Sequence, residues 1–216
     1  MSSWDDVRKE YYQRLGASVT KALEGNGFKA RYVETGNAAK EAILELIPPS
    51  ASVGIPGSVT IRELGLPEAL ESRGHKIFHH WGVSLSPEER AKRLMDENAS
   101  DVLLTSSNAV TLDGILVNID GSGNRVSGMA WASNRIIFVV GINKVCRDVE
   151  SAIQRIRDVA TPMNAIRLNT NVPCKTVGHC VNCNSPERLC RALLILERVP
   201  TGRDAHVILV GEALGY

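Results

Sequence analysis

Seven residues constrain the architecture of this chain more than any others. Arg135 to Gly141, RIIFVVG, is an almost unbroken apolar run of strand length. A strand with one face in water alternates polar and apolar residues, so such a run belongs to a central strand covered on both faces. DVLLTSS, over residues 101–107, has the same character. Strands of this kind alternate with helical patterns through the first half of the chain and again around RIIFVVG. That order predicts an α/β sheet with helices on both faces.

The remaining elements follow from local signals. Trp4, Val7, Tyr11, Leu15, Val19, Ala22 and Leu23 recur at steps of three and four, a helix stopped by Gly25-Asn26-Gly27. FKARYVET reads as a strand. Asn37 reads as the cap of a second helix with Ala39, Ile43, Leu46 and Ile47, ended by Pro48-Pro49. Residues 52–55 form a strand entering a Gly-Ile-Pro-Gly turn, followed by helix (SVTIRELGLPEALESRG), strand (KIFHH) and helix (SPEERAKRLMDENAS). Ser86 caps the last of these, with Pro87 at its first position. AVTLDGILVNIDGSGNRVSGMAW then reads as consecutive antiparallel strands, which makes the sheet mixed although mostly parallel. A helix opens at Asp148, and ALLILERV and HVILVGEAL are two further strands. No internal repeat and no long linker interrupts this order. One domain over 1–216 is expected, with a helical start over 1–50 and a cysteine-bearing insert over 171–192.

Charge and hydropathy exclude several function classes. Lys+Arg 25 against Asp+Glu 24 leaves +1, without the positive stripe of a general nucleic-acid binder. No apolar run approaches the roughly 18 residues that cross a bilayer. The charged start MSSWDDVRKE lacks the apolar centre of a secretory signal, so a cytoplasmic protein is expected.

Four of the five cysteines are clustered: Cys174, Cys180, Cys183 and Cys190, with Cys146 apart. Four thiolates so close in sequence can satisfy one tetrahedral ion or the irons of a cubane cluster. The gaps match neither the short ferredoxin run nor the paired CxxC of a zinc ribbon, so an iron–sulfur cluster and zinc both stay open. His179 is a substitute ligand. A Cys180/Cys183 redox pair and reduced thiols packed as small hydrophobes are the plainer readings. Cys146 reads as a buried structural thiol.

Three polar segments sit where strands end. Gly54, Gly57, Ser58 and Thr60 lie in a strand-to-helix turn whose free N–H groups suit an anion, or whose Ser58 simply caps the helix. It is neither a Walker loop nor GxGxxG. Thr105, Ser106 and Asn108 end an apolar strand, where open α/β sheets place ligands, though Ser and Asn also make ordinary turns. Asp120, Gly123, Asn124 and Arg125 form either a long hairpin turn or a ligand contact. Asn143-Lys144 is a further polar strand end. Together these ends could converge on one crevice.

In combination, VGIPGSVTIRELGL, LLTSSNAVTLDGILVNIDGSGNRV, IIFVVGINKV, ATPMNAIRL, PCKTVGHCVNCNSPERLC and ILVGEALGY resemble the lactate-utilisation (LUD-domain) family, in the group of lactate-utilisation protein C. The likeness runs from about Ser52 to Tyr216. This chain has Pro56-Gly57-Ser58 where members more often show Gly-Gly-Ser. The resemblance implies a three-layer α/β/α sandwich like the NagB/RpiA/CoA-transferase group, in which the Gly-rich turn commonly faces a phosphate or CoA-like ligand. It also implies an accessory or electron-transfer role beside iron–sulfur oxidoreductase subunits that oxidise L-lactate to pyruvate, with a 4Fe-4S cluster on the four cysteines. The alternative is a stand-alone enzyme or sensor on a CoA-transferase-like fold, binding a phosphorylated, CoA-linked or folate-like metabolite, with structural zinc. Arg62 and Glu63 are candidates to face the crevice. A transferase mechanism would need a carboxylate nucleophile, for which Glu63 is the local nominee.

Overall fold

The structure, a computed structural model, describes residues 3–82, 84–131 and 134–216. Ser3 opens α1 (Trp4–Gly25) with a reciprocal capping box to Asp6. The apolar stripe of α1 is only half used. Val19 and Leu23 are fully buried, whereas Trp4, Val7 and Tyr11 lie on an exposed stretch. β1 (Lys29–Val33) leads to α2 (Gly36–Leu46), capped by the Thr35 hydroxyl rather than by Asn37. β2 (Val53–Gly54), α3 (Val59–Glu63) and α4 (Leu66–Ser72) follow. The helix expected across this segment breaks at Gly65, which takes a left-handed φ of 57°. β3 (Ile77–Phe78) and α5 (Pro87–Asn98) precede β4 (Val102–Thr105), β5 (Ala109–Thr111) and β6 (Leu116–Asp120).

The next segment is not the antiparallel strand expected from its composition. α6 (Asn124–Ala130) stands there instead. Asp120, at the end of β6, accepts the free N–H groups of Arg125 (2.8 Å) and Val126 (3.1 Å), so a carboxylate from outside the helix caps its first turn. β7 (Arg135–Gly141), a single 3-10 turn over Ile142–Lys144, β8 (Val145–Cys146) and α7 (Val149–Arg155) come next. A π-turn over Ile156–Ala160 joins α7 to α8 (Thr161–Leu168). α9 (Pro173–Val177), β9 (Ala192–Leu196) and β10 (Asp204–Val210) complete the described elements.

The strands form two sheets. Six are parallel, in the order β1-β10-β7-β4-β2-β3. The antiparallel pairs fall in a separate sheet, β8-β5-β6-β9. In the parallel sheet Ile137 and Val139 of β7 pack with α2, α3 and α4, while Ile136, Phe138 and Val140 pack with α1 and the second sheet. RIIFVVG is therefore covered on both faces, with helices above and below in a three-layer α/β/α arrangement. The outer face of the small sheet is covered in turn by Ala152 and Ile156 of the α7 segment. Among the described residues no helix is long and apolar enough to cross a membrane.

Candidate functional site

Parallel strands send their carboxyl ends to one edge of the sheet, and a crevice forms there. The turns after β2, β3, β4 and β7 all reach it, as do the end of β6, the start of α8 and Tyr216. Its volume is about 630 Å³, a small-molecule size. Seven lysine and arginine side chains line it, against the acidic Asp120 and Glu187. The imbalance selects for an anion.

The basic groups are held in different ways. Arg125 pairs with buried Asp120 and also donates to Asn108 Oδ1 at 3.1 Å and to the Ile119 carbonyl at 3.0 Å. Its guanidinium is thereby fixed across the ends of two strands. Arg62 lies over the Trp81 ring, 5.2 Å from its centroid. Arg167 donates to the Tyr216 hydroxyl at 2.7 Å. Among the described residues Arg62, Arg90 and Arg167 have no carboxylate within ion-pair distance, which leaves their charge available to a ligand.

Lys144 sits at the floor. It is only 2% exposed, and its Nζ donates to Thr60 Oγ1 at 2.8 Å and to Ser106 Oγ at 3.0 Å. Burial, reinforced by the nearby charges of Arg155 and Arg125 and opposed by Glu63, depresses its pKa to about 7. Near pH 7 a large share of this amine is thus uncharged, where an ordinary lysine is almost wholly charged.

A second buried pair borders the crevice. Glu97, wholly buried on α5, contacts His80 Nδ1 through Oε1 at 2.7 Å, and its Oε2 has no hydrogen-bond partner. Burial raises the Glu97 pKa, with His80 opposing it. His80 Nε2 lies next to Gly57, so the carboxylate orients an imidazole at the mouth of the Gly-rich turn.

The four cysteines line their own cavity of about 20 Å³, beside the crevice. Cys174 is buried and the other three half-buried. Burial, with the fields of Cys190, Cys183 and Cys180, raises the Cys174 pKa. Among the described residues, however, no group of three or more His, Cys, Asp or Glu is drawn together as a formed metal-holding cluster. The Asn182 N–H donates to Cys180 Sγ at 3.3 Å, and Arg157 and Arg188 flank the cavity. Cys190 Sγ lies 3.5 Å from Thr161 Oγ1. The four thiols share this cavity without being gathered into a metal site. His179 instead turns its Nδ1 to the Cys180 carbonyl and does not line the cavity. Cys146 is half-buried on β8 and does not line this cavity.

The family model for the LUD domain matches residues 17–210. The chain belongs to the LUD-domain family. Membership relates it to the lactate-utilisation proteins. The LUD fold is seen also in a similar solved structure, a DUF162 family protein from Deinococcus radiodurans. It shares 13% identity at a TM-score of 0.51, over 92% of this chain and 97% of that one. No curated protein matches.

In this LUD domain the crevice gathers Gly57, Ser58, Thr60, Ser106, Asn108, Asp120, Asn124 and Arg125 of the residues expected from sequence. Gly54, Thr105 and Gly123 stand outside its lining. Gly54 runs against the backbone of α5, Thr105 is buried at the end of β4, and Gly123 begins α6 with a φ of 83°. α3 is only five residues long, so its dipole adds little to the positive charge that the side chains bring to the crevice. Glu63 does not line the crevice; its carboxylate accepts the Gly215 N–H at 2.6 Å. His80, Glu97, Arg90, Arg167 and Tyr216 escape sequence reasoning, because each is an isolated polar residue far in sequence from its partners. Lys144 carries one usable signal, its position just beyond the most apolar strand.

Proposed function

We propose that this LUD domain is an accessory, electron-transfer subunit of an iron–sulfur system that oxidises L-lactate to pyruvate, binding a small carboxylate beside a cluster. The observation that carries this reading is a shared wall. Thr161, Arg188 and Leu189 line both the basic crevice and the cysteine cavity. Arg188 clamps the cysteine loop, donating to the carbonyls of Cys183 at 2.6 Å and Cys190 at 2.8 Å. A bound carboxylate and the thiolate centre would therefore sense each other through one guanidinium.

Cys174, Cys180, Cys183 and Cys190 would hold a 4Fe-4S cluster, which when bound supplies a one-electron store. The protein's own groups do the rest. Arg62, Arg90 and Arg167 attract the acid, Arg125 orients it, and the shared wall separates it from the thiolates. Iron–sulfur oxidoreductase subunits would be the partners, in the cytoplasm. Glu63, the nominee for a transferase nucleophile, does not line the crevice and accepts the Gly215 N–H instead.

Metal and sulfide analysis with an absorption spectrum, on protein purified without oxygen, tests the reading. Iron with acid-labile sulfide is expected, together with a spectrum that changes when pyruvate or L-lactate is added. Stoichiometric zinc would make the cysteine loop a structural staple and overturn the electron-transfer role. Free thiols with neither metal would do the same.

A further inference from the structure

Lys144 is more than one more cation in the crevice. Its amine is buried on the crevice floor, where both of its hydrogen-bond partners are neutral hydroxyls. Among the described residues no carboxylate lies within ion-pair distance of it. An ammonium in such a place is costly, and a neutral amine is not. The charges facing it from its neighbours, Arg125 on α6 and Arg155 on α7, act against protonation, with Glu63 on α3 the one opposing group. A neutral lysine amine is a nucleophile, and the compounds it attacks reversibly carry a carbonyl. The crevice's arginines add the second requirement, an anionic group close to that carbonyl.

We propose that Lys144 captures a 2-oxo acid as a Schiff base in the crevice. The lysine nitrogen attacks the 2-carbonyl carbon and forms a C–N bond. The carbonyl oxygen takes one proton from the amine and one from solvent and departs as water, leaving a protonated iminium. No oxidant or reductant is needed. Thr60 and Ser106 hold the amine in place before attack, while Arg62, Arg90 and Arg167 supply the charge that draws in the carboxylate and Arg125, fixed by Asp120 and Asn108, orients it. L-lactate, which carries a hydroxyl in place of the 2-oxo group, cannot make this bond. The site would thus distinguish the oxidised acid from the reduced one covalently. This assignment rests on the reading of the crevice as a carboxylate site.

Trapping tests it. The full-length protein is incubated near neutral pH with pyruvate and cyanoborohydride, and the modified residue is located by peptide mass mapping. A reduced pyruvyl adduct confined to Lys144, absent with L-lactate and absent in K144M, is the expected result. Melting temperature with pyruvate but no reductant is measured in parallel. If pyruvate raises it while Lys144 stays unmodified, the Schiff base is overturned and the carboxylate reading survives. If there is neither a rise nor an adduct, both fall. Labelling spread over surface lysines, or an adduct with dihydroxyacetone phosphate but not with pyruvate, also overturns the assignment. Because the adduct is mapped on the wild-type chain, the test holds even if K144M folds poorly.

Discussion

Replacing Lys144 with methionine should change how the stability of this protein depends on pH. In the folded chain the amine has a pKa of about 7, against 10.5 for an ordinary lysine. Between these values the unfolded chain binds a proton that the folded chain does not. Stability therefore rises with pH across this window, at a limiting slope of about 1.4 kcal/mol per pH unit. Below pH 7 both states are protonated and the slope vanishes. From pH 7 to pH 9 the wild type should gain about 2 kcal/mol on K144M, allowing for incomplete titration near pH 7. Methionine keeps the length and removes the titrating group, so other ionisations cancel in the difference. The assay is urea unfolding of both proteins at pH 7, 8 and 9. A wild-type minus K144M difference that stays flat over that range would mean the amine is charged when buried, and the reasoning behind its nucleophilicity would fail with it.

Two further substitutions probe the frame of the site. In G54A the new Cβ would fall 1.8 Å from the Glu97 carbonyl oxygen, a backbone atom with no rotamer to escape into. A loss of about 3 kcal/mol or more is expected by denaturant unfolding, and a loss below about 1 kcal/mol would show that α5 can shift. Asp120 both neutralises Arg125 and caps α6, so D120A should cost about 3–5 kcal/mol by the same measurement. D120N, which keeps an acceptor for the two N–H groups, should recover part of that loss; equal losses would assign the whole effect to the ion pair.

How much of this could be read from sequence depended on whether a signal was local. RIIFVVG announces a doubly covered strand because both of its faces are apolar, and Ile137 and Val139 do pack opposite to Ile136, Phe138 and Val140. The polar residues after β2, β4 and β6 were legible because strand ends in α/β sheets share one edge. The helix α6 was not. Gly-Ser-Gly-Asn suits a hairpin as well as a helix start, and Gly128 lowers helix propensity for a tertiary reason. A Cβ there would meet Asn98 Oδ1 at 2.4 Å. Asp120 caps this helix from a different element, which no capping pattern in the sequence displays. The stripe on α1 predicted a buried face throughout, yet only its second half meets the sheet layer. Amphipathicity records what a helix can bury, not how much body is there to bury it. His80 and Glu97 are 17 residues apart and become a pair only because β3 and α5 flank β2.

The order of strands in the parallel sheet bears on how the chain is made. β10 lies between β1 and β7, with Lys29 in register with His206 and Val33 with Val210. A nascent chain has β1 in hand early, but no strand for it to pair with until residue 210 has been translated. At about 5–20 residues per second, that wait lasts on the order of 10–35 s. Throughout it β1 lacks its strand partner, and Val19 and Leu23 meet only the part of their cluster already made, up to Val140 and Ile142. Chaperone demand should accordingly peak late in synthesis, and slowed translation just ahead of residues 204–210 should lower the soluble yield more than the same pause placed before β1.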